Sequence, residues 1–338
     1  MAVHPAPRLR DDLEALTALV QRAARHLKID QSFVEKDFWV TELLRAVSGG
    51  TTVNGPDGKP VTVRSVFKGG TSLSRVYHLT NRFSEDVDLL IPFPDALGTG
   101  TRDRALKQIV AAAQEHLGLP DNRCLLQTST KGVKRNVEFH YPRAFVNPAV
   151  REHLLLEMGS RGGPDPRGTH TLRSMIAEYA EEILGEGPST WEEFAPVSID
   201  VLAPERTLLE KCALLHDLGE RFDRQDPVAV DHMGRAGRHY YDLAQLLGDG
   251  EVRAVLAALG SDGIARVAQD IDDHSARAGW RSVARPNGGY GDSLAFDPSA
   301  ACQETARVSF GVAMGMVYAD TPTFERCLEI IRAYAHLL

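Results

Sequence analysis

The chain has 338 residues, 43% of them apolar, and a formal net charge of −8. That length leaves room for two domains of ~150 residues with ordinary cores, and the acidic balance excludes a protein that coats nucleic acid non-specifically. No run reaches the ~20 apolar residues of a membrane-spanning helix, and Met1 to Arg10 lacks the apolar core of a secretion signal and reads as a disordered lead-in.

Helical spacing comes first. Leu13, Leu16, Leu19 and Val20 recur at helix intervals within Asp11 to Val47, and so do Phe33, Phe38, Thr41 and Leu44. Asp30 or Ser32 is the expected cap of a second helix. Val47 to Lys59 then breaks into turn residues around Ser48-Gly49-Gly50 and Pro56-Asp57-Gly58. Strands are predicted over Val61 to Phe67, Val87 to Ile91, Asn136 to Tyr141, His153 to Met158 and Pro196 to Leu202, with one helix, Arg102 to Leu117, between the second and third. Irregularly spaced strands with few helices between them point to a mixed or antiparallel sheet. After Pro204 the pattern is helical, over Glu205 to Leu218, Gly237 to Leu247, Glu251 to Ala258, Gly263 to Ala276, Ala301 to Met316 and Pro322 to Leu338. The expected class is α+β, with an α/β domain over 1–200 and a helical domain over 201–338.

Cys124, Cys212, Cys302 and Cys327 form no C-x-x-C pair, and the twelve histidines show neither H-E-x-x-H nor H-x-H. Reduced thiols and no readable zinc site are expected.

Chemistry concentrates in Val66-Phe67-Lys68-Gly69-Gly70-Thr71-Ser72-Leu73-Ser74 and Arg82-Phe83-Ser84-Glu85-Asp86-Val87-Asp88-Leu89. A strand ends at Phe67, and two glycines permit a tight turn with close backbone approach to a ligand. Thr71 or Ser72 can cap a helix, Leu73 to Leu79, whose first amides make an anion site. Asp86 and Asp88 lie at i and i+2 of a strand and so share a face. Two carboxylates there repel unless a cation bridges them, and hard oxygen donors suit Mg²⁺. Taken singly, an Asp-x-Asp is commonly a solvated surface pair and a Gly-Gly-Thr-Ser a plain turn. Their order, strand, glycines, capped helix, then paired carboxylates, favours the chemical reading.

These two segments resemble the AbiEii/MenT family of nucleotidyltransferase toxins, within the DNA-polymerase-β-like superfamily and type IV toxin–antitoxin systems. Phe33 to Val40, Pro204 to Lys211, Arg238 to Leu243 and Pro322 to Glu325 extend the resemblance over most of the chain. The resemblance implies a bilobed protein with an N-terminal polymerase-β-like domain and a helical domain contributing Lys211 and Asp242 to an interlobe cleft. It implies that Gly69, Gly70, Thr71 and Ser72 hold triphosphate, with Lys68 as a further phosphate contact. Asp86 and Asp88 would hold Mg²⁺, with Mn²⁺ as the alternative, Lys211 would meet the nucleotide phosphates, and Asp242 would be a further catalytic acid. Glu157 is the candidate third metal carboxylate, ahead of Asp200.

Each has a plainer alternative. Lys211 could be a snorkelling helix lysine, Asp242 could pair with Arg238 one turn away, and Glu157 could pair with Arg135 or Arg143. Glu35, Lys36 and Asp37 are read as orienting the N-terminal helix, and Lys68 and Arg75 could be solvated. Lys131, Lys134, Arg135 and Arg143 could meet an RNA backbone or line a solvated strand. An insert, Gly219 to Gly237, separates Lys211 from Asp242.

The implied reaction is transfer of a nucleotide from an NTP to an acceptor with loss of pyrophosphate. The family implies tRNA 3′ ends as acceptor, a cognate antitoxin as partner, and a cytoplasmic location with no membrane association. Transfer to a protein hydroxyl, kinase-like phosphoryl transfer and a silent NTP-binding antitoxin partner remain the alternatives.

Overall fold

In the computed structural model, which describes residues 6–84, 86–148, 150–160 and 162–338, the chain divides into two units. The first comprises Met1–Thr71, Glu85–Ser160 and Arg167–Val201, and the second Ser72–Ser84, Arg161–Pro166 and Leu202–Leu338.

The first unit opens with two helices, α1 (Leu13–Leu27) and α2 (Gln31–Ser48). Both start on an aspartate: Asp12 accepts from the Ala15 amide at 3.0 Å and Asp30 from the Ser32 amide at 2.9 Å. Leu16, Leu19, Val20, Ala23 and Ala24 are the buried stripe of α1. The lead-in departs from expectation. Met1–Pro5 lies outside the described residues, but Leu9 is buried and Arg10 is ion-paired to Glu193 at 2.7 Å and to Glu42 at 3.6 Å. One buried leucine and a buried arginine with several carboxylate partners order this segment despite its short apolar content.

Among the described residues the large sheet has seven strands. The predicted strand Val61 to Phe67 is broken at Arg64 and Ser65. Its first part, β2 (Pro60–Val63), pairs antiparallel with β1 (Thr51–Asn54) as a separate hairpin. Its second part, β3 (Val66–Lys68), enters the large sheet and runs directly into α3 (Gly69–Arg75). β4 (Asp86–Leu90) follows, then α4 (Thr99–Leu117), β5 (Cys124–Thr130), β6 (Lys134–Phe139), β7 (Leu154–Gly159), β8 (Arg167–Leu172), α5 (Met175–Tyr179) and β9 (Val197–Leu202). The order across the sheet is β5-β6-β7-β4-β3-β9-β8. β4 pairs antiparallel with β3 and parallel with β7, so the sheet is mixed. β5 and β8 were not predicted. Both are edge strands; β5 is largely exposed and β8 is polar along its length, so neither carries the apolar alternation of a strand with a buried face.

The second unit is nearly all helix: α6 (Pro204–Asp223), α7 (Pro227–Met233), α8 (Gly237–Gly248), α9 (Gly250–Arg277), α10 (Gln303–Ala313) and α11 (Phe324–Ala333). Pro204 sits in the first turn of α6, where its missing N–H costs nothing. The stretch read as an insert contains the end of α6 and all of α7, which Asp226 caps. The two helices expected over 251–276 are present within α9, separated at Gly260, whose φ of 62° and ψ of 177° are not helical. Tyr240 packs against Phe324 at 5.0 Å between ring centroids, and Phe324 against Phe310 at 5.5 Å. α8 and α10 approach so closely at Gly237 that a Cβ there would lie 2.1 Å from the Phe310 nitrogen. No helix among the described residues is long and apolar enough to cross a membrane. Among the described residues Cys124, Cys212, Cys302 and Cys327 are free thiols.

Candidate active site

The first unit gathers its carboxylates on one face of the sheet. Asp86 and Asp88 share a face of β4 because alternate residues of a strand point the same way. In the parallel register, Asp86 lies beside Leu155 and Asp88 beside Glu157. Glu157 therefore joins the two aspartates on that face, and Asn136 on the next strand donates to its Oε1. Arg135 and Arg143, the partners the sequence offered for Glu157, pair with Asp103 at 3.8 Å and Glu152 at 2.7 Å. Lys68 is the antiparallel partner of Asp88 and puts a positive charge in the same row. Asp200 belongs to β9 and accepts from the Thr169 hydroxyl at 2.7 Å.

The glycine turn is built around Asp88. Gly69 has φ +84°, and a Cβ added there would lie 2.1 Å from Asp88 Oδ2. Only glycine satisfies both the backbone and the carboxylate. The helix begins at the glycines themselves, Gly69–Arg75, rather than at Leu73. The Thr71 hydroxyl donates to the Asp86 carbonyl at 2.6 Å and ties the turn to the start of β4. Ser72 is fully buried.

A second tie reaches Asp86 from the N-terminal helix. Arg151 Nη1 lies 3.0 Å from Asp86 Oδ1, and Lys36 Nζ donates to the Arg151 carbonyl at 2.9 Å. Glu35 accepts from the amides of Ala144 and Phe145, and Asp37 from that of Met175. The three consecutive charges of α2 thus pin the loop that carries Arg151 and the start of α5. Arg151 escaped the sequence reading, because a lone arginine in a loop has no periodicity or motif to mark it.

The second unit gathers the other candidates. Asp242 on α8 is completely buried. It accepts from Arg82 Nε at 2.7 Å and Nη2 at 2.8 Å, a two-pronged pair, and Lys211 Nζ stands 2.9 Å from its Oδ2. Arg82 and Lys211 are thus its partners, and Arg82 is one that the sequence reading did not offer. Arg82 is held in place by its own segment: Phe83 N–H donates to the Met316 carbonyl at 2.7 Å and Tyr318 N–H to the Asn81 carbonyl at 3.0 Å. Burial alone would raise the Asp242 carboxyl, but Arg82 and Lys211 outweigh it and hold it well below the usual range. His239 lies 3.3 Å from Lys211 Nζ through Nδ1. Burial first, and then the charges of Lys211 and Arg238, push His239 well below the ordinary imidazole value. With the ring neutral, its Nδ1 is placed to accept a hydrogen bond from the Lys211 ammonium.

The residues of the β4 face suit a hard divalent cation. Asp86 and Asp88 are oxygen donors on one side of one strand, Gly69 leaves room that a Cβ would fill, and a guanidinium stands at Asp86 where a cation would be attracted. Residues 60–329 match the model of the family described as nucleotidyl transferase AbiEii toxin, type IV TA system. No curated protein matches the chain.

Proposed function

The chain belongs to the AbiEii family of nucleotidyltransferase toxins of type IV toxin–antitoxin systems, and from that premise we propose that Asp86 and Asp88 are its metal-holding catalytic carboxylates. The observation that carries this reading is their common face on β4, with the Asp88 carboxylate seated against Gly69. As a nucleotidyltransferase the protein takes an NTP, and as a toxin of such a system it has an antitoxin partner. The finer assignments are ours: Mg²⁺ as the ion, the tRNA 3′ end as acceptor, and the cytoplasm as the place of action.

Asp86 and Asp88 would hold Mg²⁺, with Glu157 as the third oxygen donor. When bound, the ion supplies charge stabilisation at the phosphoryl oxygens and makes the attacking hydroxyl more acidic. The chain's own groups do the rest. Gly69 and Gly70 let the backbone come close to the triphosphate, and Ser72 stays with them in the first helical turn. Thr71 keeps that turn at a fixed distance from Asp86. Lys68 offers a positive charge beside Asp88. Lys211 is assigned to the nucleotide phosphates, with Asp242 as the residue that positions its ammonium. The acceptor hydroxyl gives up its proton to solvent as its oxygen attacks the α-phosphorus, the bond to the bridging oxygen breaks, and pyrophosphate carries that electron pair away.

The test incubates the purified chain with total RNA, Mg²⁺ and each α-labelled NTP in turn, beside Asp86→Ala. Label on RNA that is lost in the variant and maps to tRNA 3′ ends supports the proposal. Label on protein moves the acceptor to a protein hydroxyl. Transfer of a γ-label alone replaces nucleotidyl by phosphoryl transfer.

A further inference from the structure

We propose that Glu138, His140 and His153 form a binding site for a divalent transition-metal ion, separate from the Asp86–Asp88 pair. The backbone builds this cluster from one antiparallel register. Glu138 pairs with Leu155 and Phe139 with Leu154, so one step further sets His140 opposite His153. Glu138 lies two residues before His140 and shares its face. The two imidazole centroids are 5.2 Å apart. One ligand atom from each of the three residues falls within 4.8 Å of the others, and all three residues are half-buried.

The separations match those between ligands of one ion, although the shorter of them is also a long hydrogen bond. His140 Nε2 lies 3.3 Å from Glu138 Oε2, and His153 Nε2 lies 3.4 Å from Oε1. A charge-assisted N–H···O⁻ bond closes to roughly 2.7–2.9 Å. Ligands at ~2.0–2.1 Å from a tetrahedral zinc stand about 3.3 Å from one another. Two imidazoles and a carboxylate are a donor set for zinc or a neighbouring first-row ion, and not for Mg²⁺ or Ca²⁺, which take oxygens. Three protein ligands leave a tetrahedral ion one open position. His140 also lines a cavity of 390 Å³ together with Glu35, Tyr141 and Arg143, which gives an ion a way in from solvent. The positive charges of Lys36 and Arg151 reach His153. They disfavour a bare dication and favour one whose open position carries an anion, such as hydroxide or a phosphate oxygen.

The test measures zinc bound after dialysis, in the wild-type chain and in an Asp86→Asn/Asp88→Asn background that removes the two aspartates of the other candidate site. The expected result is one retained zinc per chain in both. His140→Ala and His153→Ala should each weaken it by at least about 100-fold, since even an outer partner of a metal ligand is worth roughly 10–100-fold. Glu138→Gln should weaken it while leaving both imidazoles in place. Because an alanine variant could misfold, Co²⁺ bound to the Asp86→Asn/Asp88→Asn chain provides a second reading: intense visible bands mark a four-coordinate site with nitrogen ligands. No retained zinc, zinc indifferent to the histidines, or only the weak spectrum of octahedral Co²⁺ would each overturn the proposal.

Discussion

Asp86 and Asp242 are both buried aspartates, one on a strand and one on a helix, and the charges set against them differ in kind. Asp242 is gripped by Arg82 and Lys211, both buried with it. Asp86 meets Arg151, whose side chain is half exposed. A buried counter-charge cannot leave without stranding its partner in a low-dielectric interior. A half-exposed one can swing into water at little cost. The first arrangement holds a shape; the second suits a carboxylate that exchanges one cation for another.

The largest expected effect separates chemistry from folding. Asp88→Asn removes a proposed metal ligand and should lower nucleotide incorporation by about 10³-fold, corresponding to ~4 kcal/mol of transition-state stabilisation. Its unfolding free energy in urea should move by less than ~1 kcal/mol, because the neighbouring carboxylates of Asp86 and Glu157 are relieved of one like charge. Asp242→Asn should act on stability as well as on incorporation. It leaves Arg82 and Lys211 buried without their carboxylate, a break that costs ~3–5 kcal/mol. Urea unfolding of both variants checks the pair. Equal destabilisation would erase the distinction between the two aspartates.

Gly69→Ala probes the seat of Asp88. A Cβ there would meet Asp88 Oδ2 at 2.1 Å on a backbone with φ +84°. Strain of about 1–3 kcal/mol follows, together with a displaced carboxylate. The expected signature is a raised Mg²⁺ requirement that Gly70→Ala does not share to the same degree. Unchanged metal dependence would mean that Asp88 is not held by this contact.

Much of this arrangement was legible because it is local. The glycines, the paired aspartates and their spacing are adjacent in sequence, and Asp88 beside Gly69 is a contact between neighbouring elements. The mixed sheet also followed from the irregular strand spacing. Edge strands β5 and β8 were not legible, since β5 is exposed along almost its whole length and β8 is mostly polar, so neither shows the alternation that marks a half-buried strand. Arg82 and Asp242 stand 160 positions apart and Lys36 and Arg151 115. No spacing rule reaches that far, so the partners of the charges were misassigned or missed even where the charges themselves were noticed.

His239 carries the contrast into pH dependence. Its folded-state value is depressed, so the unfolded chain takes up a proton near pH 6.5 while the folded ring stays neutral. Stability from this group is complete above that pH and is lost as pH falls below it, at about 1.4 kcal/mol per unit until the folded ring itself protonates. Urea unfolding between pH 7 and pH 5 should therefore show a slope that His239→Gln flattens. An identical slope in the variant would place the acid sensitivity elsewhere.

Arg151→Ala should have the smallest effect and is the sharpest test of the comparison. A half-exposed ion pair contributes about 0–1 kcal/mol, so unfolding should hardly change, in contrast to Asp242→Asn. If Arg151 and the metal compete for Asp86, removing the guanidinium should lower the Mg²⁺ concentration for half-maximal incorporation by up to about fivefold, the factor equivalent to 1 kcal/mol. A higher requirement would mean that Arg151 aligns Asp86 for the ion instead of screening it. Asp86 would then resemble Asp242, a carboxylate whose cation belongs to the fold.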